Sequence, residues 1–232
     1  MALLISEKSI HQANHTETCI RSTPTREHNM PTIPVSGSLP NDYQEVLYWR
    51  VTDKPTHVIA IQILALISLV IFGLIFFVLA VSLGKMPTQI AFGMGEIGAV
   101  LLGVLLAMGL HELTHGLTMQ MFGAEPKYGI LWKGLMLYAT SPGYAYPRNN
   151  YIVIALAPFV VISTFVISGM WLLQGTLWVP LFALCGIFNA SGAIGDMWMT
   201  MIVLRYPATA YVMDERDGLR LFLPITLVQA TG

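Results

Sequence analysis

Charge is the scarcest property of this chain. Lys, Arg, Asp and Glu make up only 11 % of its 232 residues, against about 25 % in an ordinary soluble domain. With a formal net charge of −1 and no cluster of Lys or Arg, the chain offers no basic surface, and no nucleic-acid partner is expected. Cysteine is nearly missing as well. Cys19 stands in a polar stretch and Cys185 in an apolar one, which excludes both a disulfide framework and a cysteine metal site. Met1 to Ile5 is too short an apolar run for a signal peptide, so the amino terminus reads as uncleaved.

What the chain has in abundance is apolar sequence, at 55 % of all residues. About 20 apolar residues cross a hydrocarbon core, and four stretches qualify: 57–84, 89–121, 151–173 and 176–204. The composition therefore predicts an all-α polytopic membrane protein of about four transmembrane helices. The second and fourth spans exceed the minimum length and hold most of the polar residues, so each is expected to project, tilt or break, and to line the site. Gly93, Gly95, Gly98, Gly103 and Gly109 give the second span a small face suited to close helix packing.

Around these spans the chain divides by composition. Residues 1–38, rich in Thr, Ser, His, Asn and Pro, read as a disordered polar tail. Residues 39–56 mix Tyr43, Tyr48 and Trp49 with charges and read as an interfacial segment. A transmembrane domain over 57–210 follows, then a C-terminal segment over 211–232. Between the second and third spans, Tyr128–Trp132 and Leu135–Thr140 flank Lys133-Gly134, which predicts a short β-hairpin-like loop. With four crossings, eleven of the twelve basic residues fall on the side of both termini and the 122–150 loop, leaving Lys85 opposite. By the positive-inside rule both termini are cytoplasmic.

Inside the second span lies His111-Glu112-Leu113-Thr114-His115. Residues four apart share a helix face, so both imidazoles can hold one Zn²⁺ while Glu112, about 100° round the turn, reaches a water beside it. Without a metal, the same histidines would bond neighbouring carbonyls. A catalytic zinc takes three protein ligands, which sends the search to the remaining acids. Glu96, fifteen residues before His111, stands roughly 22 Å away along one helix and cannot share the ion. Asp196 lies about eight residues from the end of its span and His115 about six from the end of its own, so their depths match. An ionisable group within a span costs on the order of 2.5–3.5 kcal/mol and asks for a partner. Asp196 is the expected third ligand; His57, at the interface end of the first span, and Glu125, after a Gly-Ala turn outside the second, could substitute for it but are not well placed.

Asn189 precedes Asp196 by two helical turns, which on a regular helix points both the same way and suggests a catalytic or substrate-positioning part for it. These residues support hydrolysis of an amide, with Glu112 as the general base that passes a proton to the leaving amine. A hairpin beside the cleft could hold an extended substrate by strand addition.

The motifs also carry a resemblance. HELTH at 111–115, Tyr138-Ala139-Thr140-Ser141-Pro142-Gly143, Arg148, Ala155-Leu156-Ala157-Pro158-Phe159 and the run from Asn189 to Asp196 make the sequence similar to a family of membrane zincin peptidases of unassigned function, related to the site-2 proteases. The resemblance extends from about Leu39 to beyond Asp214. It implies His111, His115 and Asp196 as metal ligands, Glu112 as catalytic acid/base, Zn²⁺ as cofactor, a peptide or transmembrane protein as substrate, and a bacterial cell membrane as location. Site-2 proteases place Asn, Pro and then Leu-Asp-Gly on the span of the third ligand, whereas here Ser191-Gly192 and Gly195-Asp196-Met197 follow Asn189. No PDZ-like insertion is present either. Two other readings compete with an intramembrane zinc metalloprotease. One is a non-catalytic metal-binding membrane protein, structural or sensory, against which the presence of Glu112 speaks. The other is a metal or ion transporter, against which the lack of an internal repeat speaks.

Overall fold

The computed structural model describes residues 36–87, 93–131 and 136–231. The expected tail is outside them up to residue 35, as are the Lys133-Gly134 turn and the start of the second span at 89–92. Four helical stretches are long and apolar enough to cross a membrane. They are α1 (Pro55–Ser82), α2 (Met94–Met121), α3 (Arg148–Leu172), and α4 (Trp178–Gly192) continued by α5 (Ile194–Val203). Pro55 occupies the first turn of α1, where a missing N–H costs nothing. Large apolar side chains on the outer faces, among them Leu66, Val70 and Leu74 on α1 and Leu101 and Leu105 on α2, are exposed. A surface of that kind suits lipid rather than water.

α4 packs against α1, α2 and α3 and stands at the middle of the bundle. Its core joins Phe76 and Ala80 of α1 and Ile162, Val166 and Met170 of α3 to Val179, Ala183 and Ala190. The glycine stripe of α2 does less than its composition suggests. A Cβ on Gly103 would press on Leu181 and Cys185 of α4, but Gly95, Gly98 and Gly109 have open space beside them. Between the spanning helices the closer approach comes instead at Gly186, where a Cβ would overlap the ring of Phe76. Glu96 is accounted for at the start of α2, where its Oε2 accepts the Gly93 N–H at 2.9 Å. That bond satisfies one of the unpaired donors of a helix N-terminus.

The all-α expectation needs correcting, because the chain also builds a four-stranded antiparallel sheet in the order β1-β6-β5-β4. β1 (Tyr43–Arg50) comes from the segment read as interfacial, β4 (Ala145–Pro147) from the loop before α3, and β5 (Tyr211–Glu215) and β6 (Gly218–Pro224) from the segment after α5. β1 pairs with β6 from Tyr43↔Pro224 to Arg50↔Gly218, with an irregularity between Glu45 and Leu47. β5 and β6 form a tight hairpin around Arg216-Asp217, with Glu215 facing Gly218. A short helix α6 (Ile225–Thr231) ends the described chain. The sheet gathers the entry to α1, the connection from α2 to α3 and the exit from α5 at one end of the bundle. A second core of Met119, Tyr146, Tyr151, Ile154, Val203, Val212, Leu219 and Leu221 fastens it there.

The expected hairpin between α2 and α3 is present as β2 (Lys127–Leu131) and β3 (Met136–Thr140), paired from Lys127↔Thr140 to Leu131↔Met136. It lies close against α2. A Cβ on Gly116, the residue after the HELTH motif, would overlap the Tyr128 hydroxyl.

Candidate metal centre

The fourth apolar stretch is broken at Ala193, between Gly192 and Gly195. α4 ends there and α5 starts afresh, which sets Asp196 in the first turn of a new helix, where a carboxylate is favoured by the helix dipole. α2 runs unbroken through His111 and His115 and presents both rings, their centroids 5.0 Å apart, to that turn.

The donor atoms converge. Asp196 Oδ2 lies 3.1 Å from His111 Nε2 and 3.4 Å from His115 Nε2. One ligand atom from each of the three residues falls within 4.8 Å of the others, a grouping able to hold a metal ion. The other ring nitrogens are engaged elsewhere. His115 Nδ1 is 2.9 Å from the carbonyl oxygen of Ile154 on α3, and His111 Nδ1 is 3.0 Å from Asn189 Oδ1 on α4. The amide of Asn189 in turn donates through Nδ2 to the carbonyl of Pro158 at 3.3 Å.

Those partners dictate the protonation pattern. A carbonyl only accepts, so His115 must carry its proton on Nδ1. Because Asn189 gives its NH₂ to Pro158, it turns its oxygen to His111, which must also carry its proton on Nδ1. With Nδ1 so engaged, Nε2 is the ring atom each histidine has left for a metal, and both Nε2 atoms are aimed at one point beside a carboxylate. Neutral imidazoles fixed by a second hydrogen bond are the state a metal-binding histidine requires, and this donor set of two nitrogens and one oxygen suits Zn²⁺. Asn189 therefore reaches the site through His111.

Glu112 sits beside the cluster, and its carboxylate accepts a hydrogen bond from the backbone N–H of Ala139 on β3. It lines a cavity of about 370 Å³ together with His111, His115, Asn189 and Asp196. Leu137, Tyr138 and Ala139 of β3 form one wall, and Asp214 to Gly218 with Trp49 close the cavity from the sheet. His57 and Glu125 are not among its lining residues.

Two lining residues had no part in the sequence reading. Asp214 on β5 is buried, and its Oδ1 receives the Tyr151 hydroxyl at 3.4 Å. Burial pushes its carboxyl up to about 7. Three residues on, Asp217 behaves in the opposite way. Its partial burial is outweighed by Arg50, which binds it through Nε and Nη2 at 3.1 and 3.0 Å, and by the Thr52 hydroxyl, so its carboxyl is held below the usual range. An Asp-Gly pair between apolar runs is a general sign of a hairpin, and it falls here at 217–218, where Gly218 already opens β6. Nothing local marks Asp214, because the groups packed on it, Tyr151 of α3 and Thr140 of β3, come from distant parts of the chain.

Residues 104–211 match a family described as "Putative zincin peptidase", a stretch that holds His111, Glu112, His115, Asn189 and Asp196. The match supports the zincin resemblance carried by the motifs. A Pyrococcus woesei protein described as "Uncharacterized 24.7 kDa protein in gap 5'region" is 30 % identical over 118 residues, which are 50 % of this chain and 51 % of that protein. The chain thus spans about half the length of this curated relative. No solved structure matches.

Proposed function

We propose that the protein is a zinc-dependent intramembrane metallopeptidase, akin to the site-2 proteases, that hydrolyses peptide bonds of membrane-associated substrates. The observation that carries this reading is the meeting of His111 Nε2, His115 Nε2 and Asp196 Oδ2 at one point beside Glu112, in a cavity within the apolar bundle. A zinc ion held by these three residues would supply Lewis acidity to a water and to the scissile carbonyl. Glu112 takes the proton from that water and delivers it to the departing amine nitrogen. The amide of Ala139 keeps the Glu112 carboxylate turned towards the cavity.

The same bond suggests how a peptide is seated. Since the N–H of Ala139 points at Glu112, the carbonyl of Ala139 and both backbone groups of Leu137 point to the same edge of β3, away from β2. An extended peptide laid along that edge would place its backbone next to the base and the metal. A closed structural metal site would call for a fourth protein ligand and no base, whereas here a cavity and a carboxylate stand beside the donors.

The test is purified protein assayed for zinc and for cleavage of a transmembrane peptide in proteoliposomes. Stoichiometric zinc and cleavage are expected, both lost in His111→Ala. Folded protein with no affinity for zinc would overturn the proposal.

A further inference from the structure

We propose that Pro158, inside α3 and not among the residues that line the cavity, is a positioning residue for the metal centre. It exposes the carbonyl that holds His115 and supplies the carbonyl that holds Asn189. In a regular helix the carbonyl of Ile154 would accept the N–H of residue 158. Proline has no N–H, and its ring pushes away from the carbonyl one turn before it. The carbonyl of Ile154 is thereby left for the His115 Nδ1–H, which it meets at 2.9 Å.

One turn on, the carbonyl of Pro158 itself accepts the Asn189 Nδ2–H at 3.3 Å. That bond orients the amide whose oxygen takes the His111 Nδ1–H. Two carbonyls on one face of α3, at positions 154 and 158, thus set the tautomers of both histidines. Pro158 is fully buried, so no contact with solvent or lipid calls for a proline there. A proline in the middle of a helix gives up a backbone hydrogen bond, and the site supplies a reason for bearing that loss.

The inference rests on the metal-site reading but not on proteolysis, and it is read in metal-free protein. The experiment is ¹⁵N NMR of histidine-labelled protein in detergent micelles, comparing the native chain with Pro158→Ala. In the native chain both histidines should show a proton on Nδ1, hydrogen-bonded to its oxygen acceptor. Alanine at 158 returns an N–H that competes for the Ile154 carbonyl, so His115 should become a mixture of tautomers. His111 should keep its pattern, because alanine retains the carbonyl that Asn189 needs, and this signal also reports that the bundle is folded. Zinc affinity should fall about 10- to 100-fold, as for loss of an outer partner of a metal ligand. If Pro158→Ala does not fold, replacing Ala155 with lactic acid keeps the proline and turns the Ile154 carbonyl into a weaker ester acceptor, with the same His115 signature expected. A His115 that stays protonated on Nδ1, with unchanged zinc affinity, in whichever of the two variants folds would overturn the inference.

Discussion

Asp196 and His111 stand 85 positions apart in the chain, yet Oδ2 of the first lies 3.1 Å from Nε2 of the second. They are brought together by the packing of α5 on α3 and of α3 and α4 on α2, so the aspartate is the point at which the site depends on the fold. Asp196→Asn keeps the shape and removes the charge. It should lower zinc affinity by more than about 100-fold, beyond the cost of losing an outer partner, as measured by competition with a chromogenic chelator. An affinity within a few-fold of native would mean that the ion is held elsewhere.

Glu112→Gln separates binding from catalysis. The amide can still receive the Ala139 N–H but cannot take a proton from water. Zinc content should be unchanged while cleavage of a transmembrane peptide falls by about 10²- to 10⁴-fold, the usual contribution of a general base. Equal cleavage rates in the two proteins would remove Glu112 from the chemistry.

Gly116→Ala tests the seat of the hairpin. The added methyl overlaps the Tyr128 hydroxyl, and overpacking of this kind costs about 1–3 kcal/mol. Thermal unfolding in detergent should show the loss, and adding Tyr128→Ala should recover part of it. If the single variant melts like the native protein, β2 does not bear on α2 at this point.

Asp214 makes stability depend on pH in the direction opposite to an ordinary surface acid. Its carboxyl, raised to about 7 by burial, stays protonated in the folded protein between about pH 4 and 7, while the unfolded chain has already released the proton. Stability therefore falls as pH rises through that window and levels off above it. Asp214→Asn should flatten the slope in metal-free protein and gain about 4 kcal/mol over the native chain near pH 8, with little difference at pH 4. Melting curves from pH 4 to 8 that run parallel would refute it.

The parts of this molecule that sequence made legible are those whose cause is local. Apolar runs at 57–84 and 151–173 correspond to α1 (Pro55–Ser82) and α3 (Arg148–Leu172), because length and hydropathy alone decide a span. The HELTH spacing is likewise a property of one helix turn. Asn189 shows where local reasoning stops. Its alignment with Asp196 was inferred from a regular helix, but the helix breaks at Ala193, and both residues reach His111 by different routes, one to each ring nitrogen. The sheet escaped for a related reason. β1 and β6 take their meaning from each other, and neither alternates cleanly enough alone to be told from an interfacial segment.

The pairing of β1 with β6 also fixes an order of events. Residues 43–50 must wait for residues 218–224 before their backbone groups are satisfied, and contacts of such long range form late. During synthesis the helix bearing His111, Glu112 and His115 is made well before the strands that wall the cavity beside them. On the proposed function, the site would lack both Asp196 and the cavity wall from Asp214 to Gly218 while its first spans are being inserted, when other nascent chains crowd the same patch of membrane.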